Sequence, residues 1–149
     1  MSEPAVCDSA CLIALERIGR LELLPDLFNP ILLPLEVEKE FGRSISWTTV
    51  RLPQNQALVK SLKQLIDDGE AEAIALASET GFQIILDDRK ARAAARHLGI
   101  KLIGTVGLLV RAKREGLLKS LKPVLDELQR ANFHVSRALC DEALRGVGE

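Results

Sequence analysis

The chain has no tyrosine, one tryptophan and four phenylalanines in 149 residues. With aromatics at 3%, it lacks the row of rings on which general single-strand binders stack successive bases. Neither sign of charge is in excess, since 20 Lys and Arg stand against 21 Asp and Glu for a net charge of −1. No global field therefore draws the chain to nucleic acid or membrane, and an anionic partner has to be held by a local patch. Three cysteines (Cys7, Cys11, Cys140) and two histidines (His97, His134) show no zinc-like spacing. Buried or incidental thiols in a reducing compartment are the expectation. No apolar run approaches the ~18 residues of a membrane span, and no basic segment leads into an apolar one, so the chain is expected to be cytoplasmic and unanchored. Repeats, low-complexity tracts and interdomain linkers are missing as well, and a single domain over residues 1–149 is expected, large enough to bury a sizeable core.

What is present is an ordinary folded composition, 47% hydrophobic and 28% charged. The most informative stretch is Phe82 to Arg92, FQIILDDRKAR. Ile84, Ile85 and Leu86 read as a strand buried on both faces. The strand ends in two adjacent carboxylates, Asp87 and Asp88, and then in Arg89, Lys90 and Arg92. In open α/β sheets ligands bind outside the carboxyl ends of such strands. Two like charges side by side repel, and either a bound cation or solvent exposure relieves them.

The same order of strand, carboxylate and helix opens the chain. Ala5 to Cys7 reads as a strand, Asp8 follows it, and Ser9 is expected to cap a helix that Gly19 stops. Leu21 to Phe28 reads as a short helix interrupted by Pro25. Ile31 to Leu33 then forms a second strand, with Pro34 placed to start a helix over Leu35 to Phe41. In that helix Glu36 and Glu40 share a face, so either water tolerates the pair or one member points into a site. Ile45, Trp47 and Thr49 alternate as an edge strand would. Helical spacing returns over Ala57 to Ile66, is broken at Asp67 to Gly69, and resumes from Glu70 to Thr80. Carboxylates at Glu70 and Glu72 gain from the helix dipole in any case. A basic helix is expected over Lys90 to Leu98, a strand over Ile100 to Ile103, and helices over Val106 to Arg114, Leu117 to Ala131 and Ser136 to Leu144. The alternation predicts an α/β fold with a mostly parallel sheet and helices on both faces.

Right-handed crossovers carry the carboxyl ends of parallel strands to one edge. Asp8 and the Asp87/Asp88 pair would then face one crevice, with Glu40 and Glu70 supplied by flanking helices. Such a group would repel strongly unless a divalent cation sat among it, and an all-oxygen set favours Mg²⁺ or Mn²⁺ over zinc. Acidic residues also sit at helix starts for structural reasons alone.

The runs VCDSACLIAL, LPLEVEKEF, DDGEAEAIALASETG and IILDDRKARAAARHLGIKLIGTVGLLVRAKREGLL resemble the PIN-domain superfamily, in its toxin-like DUF3368 branch. The resemblance covers nearly the whole chain. It implies a three-layer α/β/α sandwich and a metal-dependent ribonuclease site of the kind found in the toxins of toxin–antitoxin pairs. Residue by residue, it places the catalytic and metal-binding carboxylates at Asp8, Glu40, Glu70 and one of Asp87 and Asp88. Ser9 is the hydroxyl that follows the first of them. Arg89, Lys90, Arg92 and Arg96 are candidates to contact the phosphate backbone, or else form a solvated helix face. The resemblance further implies RNA as substrate, an antitoxin-like protein partner and a homodimer, for which Trp47 and the apolar faces after Leu117 are candidates. Two other readings compete. One is a PIN-fold interaction module with little hydrolytic activity. The other is a phospho-acceptor receiver domain, disfavoured because the aspartate pair comes late in the chain.

Overall fold

The computed structural model describes residues 2–149. Five strands form one sheet: β1 (Glu3–Cys7), β2 (Phe28–Leu33), β3 (Thr48–Val50), β4 (Gln83–Ile85) and β5 (Leu102–Ile103). Their order is β3-β2-β1-β4-β5 and every pairing is parallel. The first strand is therefore central, and the chain winds outward from it first to one side and then to the other. The register sets Cys7 beside Ile85 and Ile85 beside Ile103. The carboxyl ends of β1, β4 and β5 consequently finish level. This is the point where the winding reverses, and a crevice forms there in open parallel sheets.

Alternation along the strands splits the core in two. Ala5, Cys7, Ile31, Leu33 and Ile85 face a cluster built with α1 (Ser9–Arg17), α2 (Leu23–Leu27), α7 (Thr105–Arg114), α8 (Lys122–Arg130) and α9 (Arg137–Gly146). Val6, Leu32, Ile84 and Leu86 face the opposite way, onto α4 (Gln56–Leu62), α5 (Asp68–Thr80) and α6 (Arg89–His97). A sheet so covered on both faces is the predicted three-layer α/β/α arrangement. The remaining helix, α3 (Leu35–Phe41), packs against α5 and α1. Ala71, Ala73, Ala75 and Ala77 are buried in α5, and their small side chains let this helix lie close to the sheet.

Several local expectations need correction. Ser9 does not cap α1. Asp8 occupies the cap position and Ser9 is the first helical residue, with its hydroxyl turned toward Glu40. The helix α5 begins at Asp68, two residues earlier than the pattern suggests, because Asp67 and Glu70 form a reciprocal capping box. The helix expected from Leu117 starts only at Lys122, with Pro123 in its first turn. Leu118 and Leu121 are buried in the preceding turns, so their apolar spacing reflects packing rather than helix. Trp47 is half-buried against the first core cluster. Cys7 and Cys11 are buried free thiols and Cys140 is a half-buried one. Among the described residues, no helix is long and apolar enough to cross a membrane.

Candidate active site

Asp8 is fixed by the backbone. Its N–H donates to Ile85 O at 3.1 Å, which extends the β1–β4 pairing by one residue. The side chain is 3% exposed, and its Oδ1 has no hydrogen-bond partner. A buried carboxylate oxygen without a donor is costly to ionise. Burial, followed by the nearby carboxylates of Asp67, Glu40 and Asp87, pushes the Asp8 pKa up to about 7, against the opposing pull of the Ser9 N–H.

Glu40 reaches this point from α3. Of the two glutamates on one face of that helix, Glu36 pairs with Lys39 at 3.6 Å. Glu40 is exposed as a residue, but its carboxylate reaches Ser9 and accepts a hydrogen bond from Ser9 Oγ at 3.5 Å. The first residues of α5 make room for it, because a methyl group at Gly69 would overlap Glu40 Oε1. The Glu40 pKa is raised by burial and by Asp67, and the Ser9 hydrogen bond partly offsets this.

Residues 70 and 72, two positions apart on α5, point about 200° apart around a helix. Glu70 faces the crevice. Burial comes first, followed by the charges of Asp67, Asp8 and Asp88, and together they raise its pKa to about 8. Glu72 lies instead among Glu36, Lys63 and Lys39, and only the first of the two belongs to the acidic group.

The late pair divides its work. Asp87 accepts the Thr105 N–H at 2.8 Å and the Thr105 hydroxyl at 2.6 Å. It thus sits on the N-terminus of α7, where the helix dipole favours an anion. Burial still raises its pKa, and the two Thr105 hydrogen bonds and then Arg92 oppose that rise. Gly104 permits this closeness, since a methyl there would lie 2.5 Å from Arg92 Nη1 and 3.0 Å from Asp87 Oδ1. Asp88 caps α6 by accepting the Ala91 N–H at 3.0 Å.

Asp8 therefore stands within electrostatic reach of Asp67, Glu40 and Asp87, and Glu70 within reach of Asp67, Asp8 and Asp88. The neighbouring charges that act most strongly on Asp8, Glu40 and Glu70 are all carboxylates, whereas Arg92 stabilises the charge on Asp87. Among the described residues, no three acidic, His or Cys side chains stand close enough to form a finished ion cage. Oxygens of Glu70, Asp67, Asp87 and Asp88 accept hydrogen bonds from backbone or threonine donors. Asp8 Oδ1 is buried and has no donor. A hard divalent ion fits such a donor set, which is all oxygen, short of positive charge and contains a buried orphan atom.

Asp67, Thr105, Gly69 and Gly104 are not identifiable from sequence spacing. Their parts depend on neighbours far away in the chain, except that Asp67 three residues before Glu70 is a capping-box signature. Of the predicted phosphate contacts, Arg89, Arg92 and Arg96 line a cleft of about 570 Å³ that opens beside Asp87. Lys90 is exposed away from it, and Ser9 is buried against Glu40. His97 is exposed at the end of α6.

Thr105 is fully buried, and Thr105→Val keeps its shape while removing one donor to Asp87. Leaving a buried oxygen short of a partner should cost about 1–3 kcal/mol in urea unfolding at pH 8. An unchanged unfolding midpoint would show that the hydroxyl does not hold Asp87.

The family model DUF3368, described as a PIN domain, matches residues 4–149. No curated protein matches the chain.

Proposed function

From the premise that the chain belongs to the PIN-domain family DUF3368, we propose that it is a metal-dependent endoribonuclease, the toxin of a toxin–antitoxin pair. Nuclease activity is general among PIN domains and dependence on divalent metal is typical of them. The observation that carries the proposal is the buried, unpartnered carboxylate oxygen of Asp8, whose neighbouring charges are the carboxylates of Asp67, Glu40 and Asp87. Asp8, Glu40, Glu70 and Asp87 would hold Mg²⁺ or Mn²⁺. Asp88 is the reserve member of the pair, since its carboxylate caps α6. When bound, the ion supplies Lewis acidity toward a phosphoryl oxygen and toward an attacking water.

The protein's own residues supply position. The β1–β4 pairing holds Asp8, Ser9 and the bare Cα of Gly69 seat Glu40, and Thr105 aims Asp87. Arg89, Arg92 and Arg96 provide the cationic wall along which a phosphate backbone would run past these acids. No side-chain nucleophile is required, and Cys11, close in sequence to Asp8, is buried in the core. An antitoxin-like partner and a homodimer belong to the same proposal.

The test is incubation of the full chain with mixed RNA in Mn²⁺, Mg²⁺ or EDTA, alongside Asp8→Asn. Fragments should appear with Mn²⁺ or Mg²⁺ and vanish with EDTA or the variant. Intact RNA throughout, with the variant behaving like the parent, would instead identify a PIN-fold interaction module.

A further inference from the structure

The cleft beside Asp87 has two unlike walls. One is the face of α6 carrying Arg89, Arg92 and Arg96, and the other includes Phe133 and His134 from the turn between α8 and α9. Asn132 adopts a left-handed conformation at φ 65°, and this reversal brings the two rings to the cleft. Phe133 is half-buried against the core and His134 is exposed. Arg92 is anchored, since its Nη1 donates to Leu86 O at 3.2 Å. Between the walls lies an apolar floor that includes Leu102, Ile103 and Val106.

A chain with four Phe, one Trp and two His has few rings to place, yet two consecutive ones border the cleft that Asp87 also lines. The volume suits a small planar group with its attached sugar and phosphate. We propose that this cleft is a nucleobase subsite, in which Phe133 and His134 stack one base of a single-stranded RNA while Arg89 and Arg96 hold the phosphates flanking it. The identity of the polymer rests on the nuclease reading above. The composition excludes a long stacking platform, and one base held by two rings does not need one. An acidic peptide would be drawn by the arginines but has no use for the rings or the apolar floor.

The test measures anisotropy of a labelled eight-nucleotide RNA, and of an abasic ribose-phosphate chain of equal length, with the full-length Asp8→Asn protein in Mg²⁺. Loss of both rings in Phe133→Leu/His134→Ala should weaken RNA binding about tenfold and leave abasic binding nearly unchanged. Arg96→Gln should weaken both equally, and His134→Phe should retain RNA affinity. Phe133→Leu keeps apolar volume against the core, and thermal midpoints establish that each variant is folded. Equal losses on both polymers, or no loss on either, would overturn the subsite. Cleavage by the parent chain in Mn²⁺ is read separately. Ring-dependent binding without cleavage removes the nuclease reading and keeps the subsite, whereas cleavage with ring-independent binding removes the subsite alone.

Discussion

Asp8→Asn should raise the thermal midpoint at pH 8 by on the order of 5 °C while reducing RNA hydrolysis by more than the ~100-fold that loss of an outer-shell partner costs. The two effects have one cause. In the folded chain the Asp8 pKa lies at about 7 against an ordinary 3.8, and that of Glu70 at about 8 against 4.5. Between pH 4 and 8 the folded state therefore binds more protons than the unfolded state, so stability falls as pH rises through that window. Asparagine removes the charge that must be buried, and its benefit should shrink as the pH falls toward 3.8, where Asp8 is protonated in the folded state and becoming so in the unfolded one. The parent chain should accordingly melt higher at pH 5.5 than at pH 8. Added Mn²⁺ should raise its midpoint more at pH 8, because ligation requires deprotonated carboxylates. Calorimetry of the two proteins at both pH values, with and without Mn²⁺, checks all of this. A midpoint lowered by Asp8→Asn at pH 8 would mean that Asp8 is a structural residue whose charge is already compensated.

The second large effect is expected at Gly69. Gly69→Ala places a methyl where Glu40 Oε1 now lies. The glutamate is the flexible end of a side chain and can swing away, so the clash costs little stability. Within α5 alanine is also the better helix former, by about 1 kcal/mol. Folding should therefore be preserved or improved while the displaced carboxylate lowers kcat about 10–100-fold, the range of an outer-shell loss. Titration calorimetry with Mn²⁺ should show weaker binding in the same variant. Unchanged kcat and Mn²⁺ affinity would place Glu40 outside the reacting group, and the proposal would then rest on Asp8, Glu70 and Asp87.

The parts of the molecule that sequence conveys are those set by nearest neighbours. The order strand, carboxylate, helix at Cys7-Asp8-Ser9 and at Leu86-Asp87-Asp88 predicts both the parallel sheet and the edge at which the acids meet. The motif blocks carry the family, and the match over residues 4–149 agrees with it. The division of labour within pairs is not carried this way. Whether Glu36 or Glu40 reaches Ser9 depends on Ser9 and Gly69, 31 and 29 residues from Glu40 in the chain, and on Lys39 beside Glu36. Thr105 looks like an ordinary first residue of a helix until β4 and β5 pair and set it against Asp87. The rings at 133 and 134 lie in a turn with no periodicity to mark them, and only the fold, which brings that turn and α6 to the β5 edge of the sheet, gives them a common cleft with the arginines.

The central position of β1 governs when the crevice comes into existence during synthesis. Its first neighbour, β2, emerges within some 30 residues, but its other flank stays open until β4 has been made, and Asp87 is not braced until Thr105 follows. A ribosome-bound chain shorter than this carries Asp8, Glu40 and Glu70 without the wall that closes around them. The brace on Asp87 is therefore completed only after about two thirds of the chain has been made.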